Sequence, residues 1–195
     1  ILTGAGRLFT RIGIKSVSMD DIARELTVSK KTIYKHFKHK KDLVNQIFEL
    51  TISEEKRSCI QCYEGDDNAI RKMINLSKFV SSNHKEMNPA VLFDLRKYYP
   101  SIWKKLEQFR IGFIAESITQ NIQEGINEKL YRDNLNSEII AELYVNLVQT
   151  MINSLSKASN NHSFQTLHRN VVYYHLYGIC SATGLEYLEQ HINEL

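Results

Sequence analysis

The stretch Ser18–Leu43, SMDDIARELTVSKKTIYKHFKHKKDL, decides the fold of this 195-residue chain. Ser18 stands before Met19, Asp20 and Asp21, a capping side chain followed by carboxylates at the positive end of a helix dipole. Ile22, Ala23 and Leu26 then recur at helical spacing, and Ala23 is small enough for a second helix to cross closely. That helix is expected to end near Leu26. After Thr27 and Val28, Ser29 offers a second cap, and Ile33 and Phe37 give the inward face of a second short helix. Two short helices joined by so brief a turn are a helix-turn-helix unit.

The lysines decide what the unit is for. Lys30 and Lys31 occupy the first turn of the second helix, where a cation opposes the macrodipole by ~0.3–1 kcal/mol each. Folding alone favours Asp or Glu there, as in the preceding helix. Lys38, Lys40 and Lys41 repeat the pattern where the next helix starts. Positive charge at two successive helix starts is satisfied by an external anion, because the unpaired N–H groups there already face outward for phosphate. Duplex DNA is the polyanion that fits.

Charge is distributed accordingly. Through Phe48 there are 10 Lys and Arg against 4 Asp and Glu, or +6, whereas the remainder has 15 against 18, or −3. The cationic surplus is therefore local to the reading head, the footprint of a nucleic-acid module joined to a different one.

With these residues in view, the chain resembles the TetR/AcrR family of transcriptional regulators. The resemblance lies in Ile1, Leu2, Ala5, Leu8, Phe9 and Gly13, then Ile22, Ala23, Val28, Ser29, Ile33, Tyr34, Phe37, Lys40 and Leu43, and it covers about the first quarter of the chain. It implies that Lys30, Lys31, Thr32, Tyr34, Lys35 and His36 face the major groove or its flanking phosphates, with Lys40 gripping a phosphate from the next helix. Ser18 and Ser29 join the expected DNA-binding set. Lys30, Lys31, Tyr34 and Lys40 are expected to supply phosphate affinity, and Thr32, Lys35 and His36 to reach base edges. The family pattern has Gly where this chain has Thr27. That position commonly takes positive φ, at a cost of roughly 1 kcal/mol or more for Thr.

The expected fold is all-α, with about nine helices. A three-helix head over residues 1–48 is joined by a long helix, starting at Lys40 and running to about Tyr63, to a regulatory and dimerisation domain over 49–195. Glu64–Asn68 is the first break; helices follow from Asp67 to about His84, from Asn88-Pro89, and from Pro100 to Ile126. Asn136-Ser137 opens a helix with two apolar ladders, and after the SNNHS run at 159–163 a final helix runs through Leu188. Both closing helices are broadly apolar. That predicts a homodimer, with Leu143, Leu147, Tyr173, Leu176, Tyr177, Cys180 and Gly184 in the interface.

The resemblance also implies an apolar effector cavity, for which Phe93, Tyr98, Trp103, Phe109, Phe113, Tyr144 and Met151 are the candidate lining. The function read from the sequence is a ligand-responsive regulator, a repressor that binds a palindromic operator as a homodimer and is released by a small, largely hydrophobic effector. The alternative is an all-helical small-molecule carrier or enzyme with a non-functional basic hairpin. Against an enzyme, no G-x-S-x-G, H-E-x-x-H, phosphate loop or dinucleotide fingerprint occurs, and Asp94, Glu107 and Glu116 are not paired as acid and base.

No cofactor or metal is expected. Cys59 and Cys62 form a C-x-x-C without a second pair or a nearby His pair, and three cysteines suit a reducing compartment better than a disulfide framework. No apolar run approaches the ~18 residues of a membrane span. The expected location is the cytoplasm.

Overall fold

The computed structural model describes residues 1–65, 67–84, 88–155 and 162–194, and the regular elements among them are helices. In order these are α1 (Leu2–Ile12), α2 (Met19–Glu25), α3 (Lys30–His36), α4 (Lys40–Tyr63), α5 (Ala69–Asn83), α6 (Pro89–Tyr98), α7 (Pro100–Phe109), α8 (Ala115–Asn127), α9 (Ser137–Leu155), α10 (Phe164–Ile179) and α11 (Ala182–His191). The expected breaks at Glu64–Asn68 and at 159–163 fall partly outside the described residues.

Two elements differ from expectation. The helix expected from Pro100 to Ile126 runs without a break but carries a π-helical turn at Arg110–Ile114, between α7 and α8. The expected final helix is divided at Cys180–Ser181, where Ser181 Oγ accepts from Gly184 N–H at 3.1 Å and starts α11. Tyr131 pairs with Cys180 in an isolated antiparallel bridge across this break, and Ser181 N–H donates to Leu130 O at 2.9 Å. Hydrogen bonds from a distant loop thus replace those the helix gives up.

The chain divides into two compact units: Ile1–Glu55 with Glu86–Glu107, and Lys56–Lys85 with Gln108–Leu195. The first contains α6 and most of α7 as well as the head. Asp94, 5% exposed, explains this membership, since its Oδ2 accepts the Lys15 backbone N–H at 2.6 Å. Asn88 adds two bonds from its backbone and side chain, to Thr10 O and Arg11 O. Gly13, at φ 98°, closes α1 beside Ala90 and Asp94, where backbone and α6 approach closely.

The second unit is built on one apolar cluster that includes Ile70, Ile74, Ile118, Ile122, Val172 and Leu176, each fully buried. Burial of such side chains is worth roughly 1.5–3 kcal/mol apiece. Two polar side chains inside it pair with each other and with the backbone: Tyr131 Oη donates to Asn121 Oδ1 at 3.1 Å, and Asn121 Nδ2 donates to Ala69 O at 2.9 Å.

Candidate nucleic-acid interface

The start of α2 is held by a reciprocal cap. Asp21 N–H donates to Ser18 Oγ at 3.1 Å, and Asp21 Oδ2 accepts from Ser18 N–H at 2.9 Å and Ser18 Oγ at 2.6 Å. These Ser18 bonds hold the Asp21 carboxyl below its ordinary range. At α3, Ser29 Oγ accepts from Thr32 N–H at 3.0 Å and lies 2.8 Å from Thr32 Oγ1. Ser18 and Ser29 are thus committed to folding the motif, and Thr32 shares its hydroxyl with the cap.

The first turn of α3 contains no acidic residue. Lys31, Tyr34, Lys35 and His36 are all exposed, Tyr34 at 50%. Lys38 and Lys41 are exposed as well, and none of Lys31, Lys35, Lys38 and Lys41 forms an ion pair among the described residues. Ile33, fully buried, and Phe37, 5% exposed, anchor the opposite side of α3. An unpaired cationic face on a helix fixed from behind is the arrangement that groove binding requires.

Two lysines behave differently. Lys30 Nζ lies 2.5 Å from Asp20 Oδ2, with both side chains about half exposed. Lys40 is turned inward: its Nζ donates to Ile14 O at 2.5 Å and lies 3.4 Å from Lys15 O, above the Phe9 ring at 5.9 Å. Partial burial lowers its pKa. Lys40 therefore ties the start of α4 to the loop after α1, on whose other side Asp94 holds Lys15. Sequence spacing gives no sign of either arrangement, because neither partner lies within a helical turn of its lysine.

Thr27 takes φ 55°, the left-handed region expected at this position. Val28 N–H donates to Ala23 O at 3.0 Å across the turn, so its hydrogen bonding is intact and the strain stays on the Thr27 backbone.

The seven candidate cavity residues fall in both compact units. In the first, Phe93 and Tyr98 are exposed at 48% and 38%, while Trp103 is buried with Nε1 donating to Glu107 Oε1 at 2.8 Å. In the second, Phe109 stacks on Phe113 at 5.6 Å, Tyr144 lies 4.7 Å from the His175 ring, and Met151 is buried. Arg110, in the π turn, donates from Nε to Gln149 Oε1 on α9 at 3.1 Å. The candidate dimer residues divide too. Leu143, Leu147 and Tyr177 are exposed and Tyr173 partly so, whereas Leu176, Cys180 and Gly184 are buried inside the protomer. Ile139 and Tyr174, missing from that set, are exposed apolar residues as well, at 55% and 73%. The i, i+4 spacing of Ile139 with Leu143 was the available signal.

Cys59 is buried and Cys62 half-buried, neither joined in a disulfide, and burial pushes the Cys62 thiol above its ordinary pKa. That suppresses the reactive thiolate. Among the described residues no group of three or more His, Cys, Asp or Glu could hold a metal ion, and no helix is long and apolar enough to cross a membrane.

Comparison with known proteins agrees with this geometry. Residues 1–47 match the family described as "Bacterial regulatory proteins, tetR family". The chain is 28% identical over 149 residues to the HTH-type transcriptional regulator YvaF of Bacillus subtilis (strain 168), covering 74% of this chain and 75% of that one. Over 53 residues, 27% of this chain and 25% of the other, it is 45% identical to the HTH-type transcriptional regulator AcrR of Shigella flexneri. Its fold is similar to a transcriptional regulator from Cytophaga hutchinsonii ATCC 33406, with a TM-score of 0.73 at 19% identity over 92% of this chain and 96% of that one. Each of these relatives is described as a transcriptional regulator. A helix-turn-helix head with an outward cationic α3, matched over residues 1–47 by the family of bacterial regulatory proteins of the tetR type and followed by a helical fold similar to that of solved regulators, is what the chain shares with that family.

Proposed function

We propose that this regulator is a repressor that binds a palindromic operator as a homodimer and leaves it when a small, largely hydrophobic effector enters its second unit. One observation carries the reading: Ile139, Leu143 and Leu147 on α9 and Tyr174 and Tyr177 on α10 are large apolar side chains left exposed on the protomer. A second copy that covers them removes the surface from water and supplies the second head, and a twofold pair of heads reads two inverted half-sites. Within each head, Lys31 and Tyr34 supply backbone affinity, while Lys35, His36 and Thr32 address base edges.

For the effector, the stacked Phe109 and Phe113, buried Tyr144 and Met151, and the π turn at Arg110–Ile114 form the supporting set. π turns are frequent at functional sites. In keeping with the sequence reading, residues 1–48 act as the DNA-binding domain and 49–195 as the effector and dimerisation domain, in the cytoplasm.

The test is a gel shift with DNA flanking the protein's own gene, run beside light scattering. Sequence-selective binding by a species of twice the chain mass supports the reading. Leu143→Glu then yields a monomer that loses operator affinity by more than tenfold. A monomeric wild type that binds all sequences alike overturns it.

A further inference from the structure

We propose that Asp20 is an internal competitor of DNA, occupying the Lys30 ammonium and holding down the sequence-independent affinity of the head. The inference rests on the DNA-binding role of α3 and concerns one residue pair within it. Asp20 and Asp21 stand side by side in the first turn of α2, yet their tasks differ. Asp21 is engaged by the Ser18 cap, with Arg24 3.6 Å away. Asp20 takes no part in the cap; its bond is to Lys30, ten residues on, at 2.5 Å. A favourable helix dipole accounts for a carboxylate at this position. It does not account for its being aimed at the first residue of the next helix.

Lys30 is thereby set apart from Lys31, Lys35, Lys38 and Lys41, which form no ion pair among the described residues. The Lys30 and Asp20 side chains are 62% and 47% exposed, so a phosphate oxygen can reach the ammonium from solvent. It must displace a carboxylate to do so. A carboxylate and a phosphodiester each offer one negative charge and acceptor oxygens to the same ammonium, so the exchange replaces one bond by another and neutralises less net phosphate charge than a free lysine would. Backbone contacts supply essentially all non-specific binding, and each phosphate neutralised adds about 0.9 to the salt slope. An exposed pair of this kind is weak, so the restraint is about three- to fivefold per head.

The test uses a short duplex of arbitrary sequence, so no operator need be known. Wild type, Asp20→Asn, Lys30→Gln and the double variant are titrated by fluorescence anisotropy across a salt series. Asp20→Asn is expected to bind about three- to fivefold more tightly per head and to steepen the salt slope by up to about 1 per head. In the Lys30→Gln background the same substitution should leave the slope unchanged. Equal slope changes in both backgrounds overturn the inference, since Asp20 would then act only through its charge at long range. An unchanged slope with a lowered melting temperature also overturns it, showing Asp20 to be a strut between α2 and α3. No binding of wild type to duplex at low salt removes the DNA-binding reading itself, a result distinct from the other two.

Discussion

Lys40 Nζ and the Ile14 carbonyl oxygen are 2.5 Å apart, which binds the first residue of α4 to the loop that follows α1. Asp94 takes the Lys15 backbone N–H at 2.6 Å from the α6 side, so this loop is held from two helices of one compact unit. A cation engaged in this way serves the geometry of the head. Lys40→Met is therefore expected to lower stability by about 1–2 kcal/mol, the worth of a charge-assisted bond, while leaving the salt slope of DNA binding unchanged. Lys35→Ala is the contrast: its exposed, unpaired ammonium should remove about 1 per head from the slope with little change in melting temperature. A slope reduced in Lys40→Met would return that residue to the phosphate-binding set.

Local signals made most of the framework legible. Ser18, Ser29, Asn88-Pro89 and Ser163 each cap the helix they announce, because a cap is written in neighbouring residues. α4 spans Lys40–Tyr63 as its apolar spacing predicts. What stayed hidden depends on distant partners. The inward turn of Lys40 requires Ile14 O, the pairing of Lys30 requires Asp20, and the division between α10 and α11 requires Leu130 O to receive the Ser181 N–H. Helical periodicity could not decide which apolar face of α10 lies inward. The structure turns Val172, Leu176 and Ile179 in and leaves Tyr174 and Tyr177 out.

Gly184 illustrates the difference between a close contact within a protomer and one across a dimer. A Cβ at this position would fall inside the Leu130 carbonyl oxygen, a backbone atom fixed by its bond from Ser181 N–H. Gly184→Ala should therefore destabilise the second unit by roughly 1–3 kcal/mol, as overpacking does, without the loss of self-association expected of Leu143→Glu. Chemical denaturation combined with light scattering separates the outcomes. A stable Gly184→Ala monomer would place this glycine between subunits instead.

Acid sensitivity should come from two histidines on α10. His168 and His175 are 4% and 6% exposed, and burial pushes the pKa of each down to about 4. His168 faces Ser81 Oγ at 3.2 Å, the Phe164 ring and the positive field of His84, while His175 lies against Tyr144 with Nε2 unpartnered among the described residues. An unfolded histidine takes its proton near pH ~6.5, so between there and pH 4 the unfolded chain binds more protons than the folded one. Stability from these residues is complete above pH ~6.5 and falls by on the order of 3 kcal/mol for each as the pH descends to 4. Melting curves across that window should show the loss. His175→Phe should flatten it while retaining or raising stability at neutral pH, since the unpaired nitrogen is removed. A pH profile identical to wild type would show that His175 does not titrate on unfolding.

Thr27 carries the strain that the head accepts in order to turn from α2 to α3. Its φ of 55° places a β-branched side chain in the left-handed region, where Cβ crowds the following carbonyl at a cost of about 1–2 kcal/mol. Both turn bonds survive, Thr27 N–H to Arg24 O at 3.2 Å and Val28 N–H to Ala23 O at 3.0 Å, and Thr27 is exposed, so little packing opposes its removal. Glycine adopts the same angle freely but gives the unfolded chain more conformations, which offsets part of the gain. Thr27→Gly should accordingly stabilise the head by about 1 kcal/mol, visible as a higher denaturation midpoint at unchanged slope. Thr27→Ala separates the two contributions, because it keeps Cβ and the left-handed penalty while losing only the branch. It should stabilise less than glycine. If alanine matches glycine, the penalty lies in the branched side chain; if both destabilise, Thr27 makes a contact that outweighs its own backbone strain.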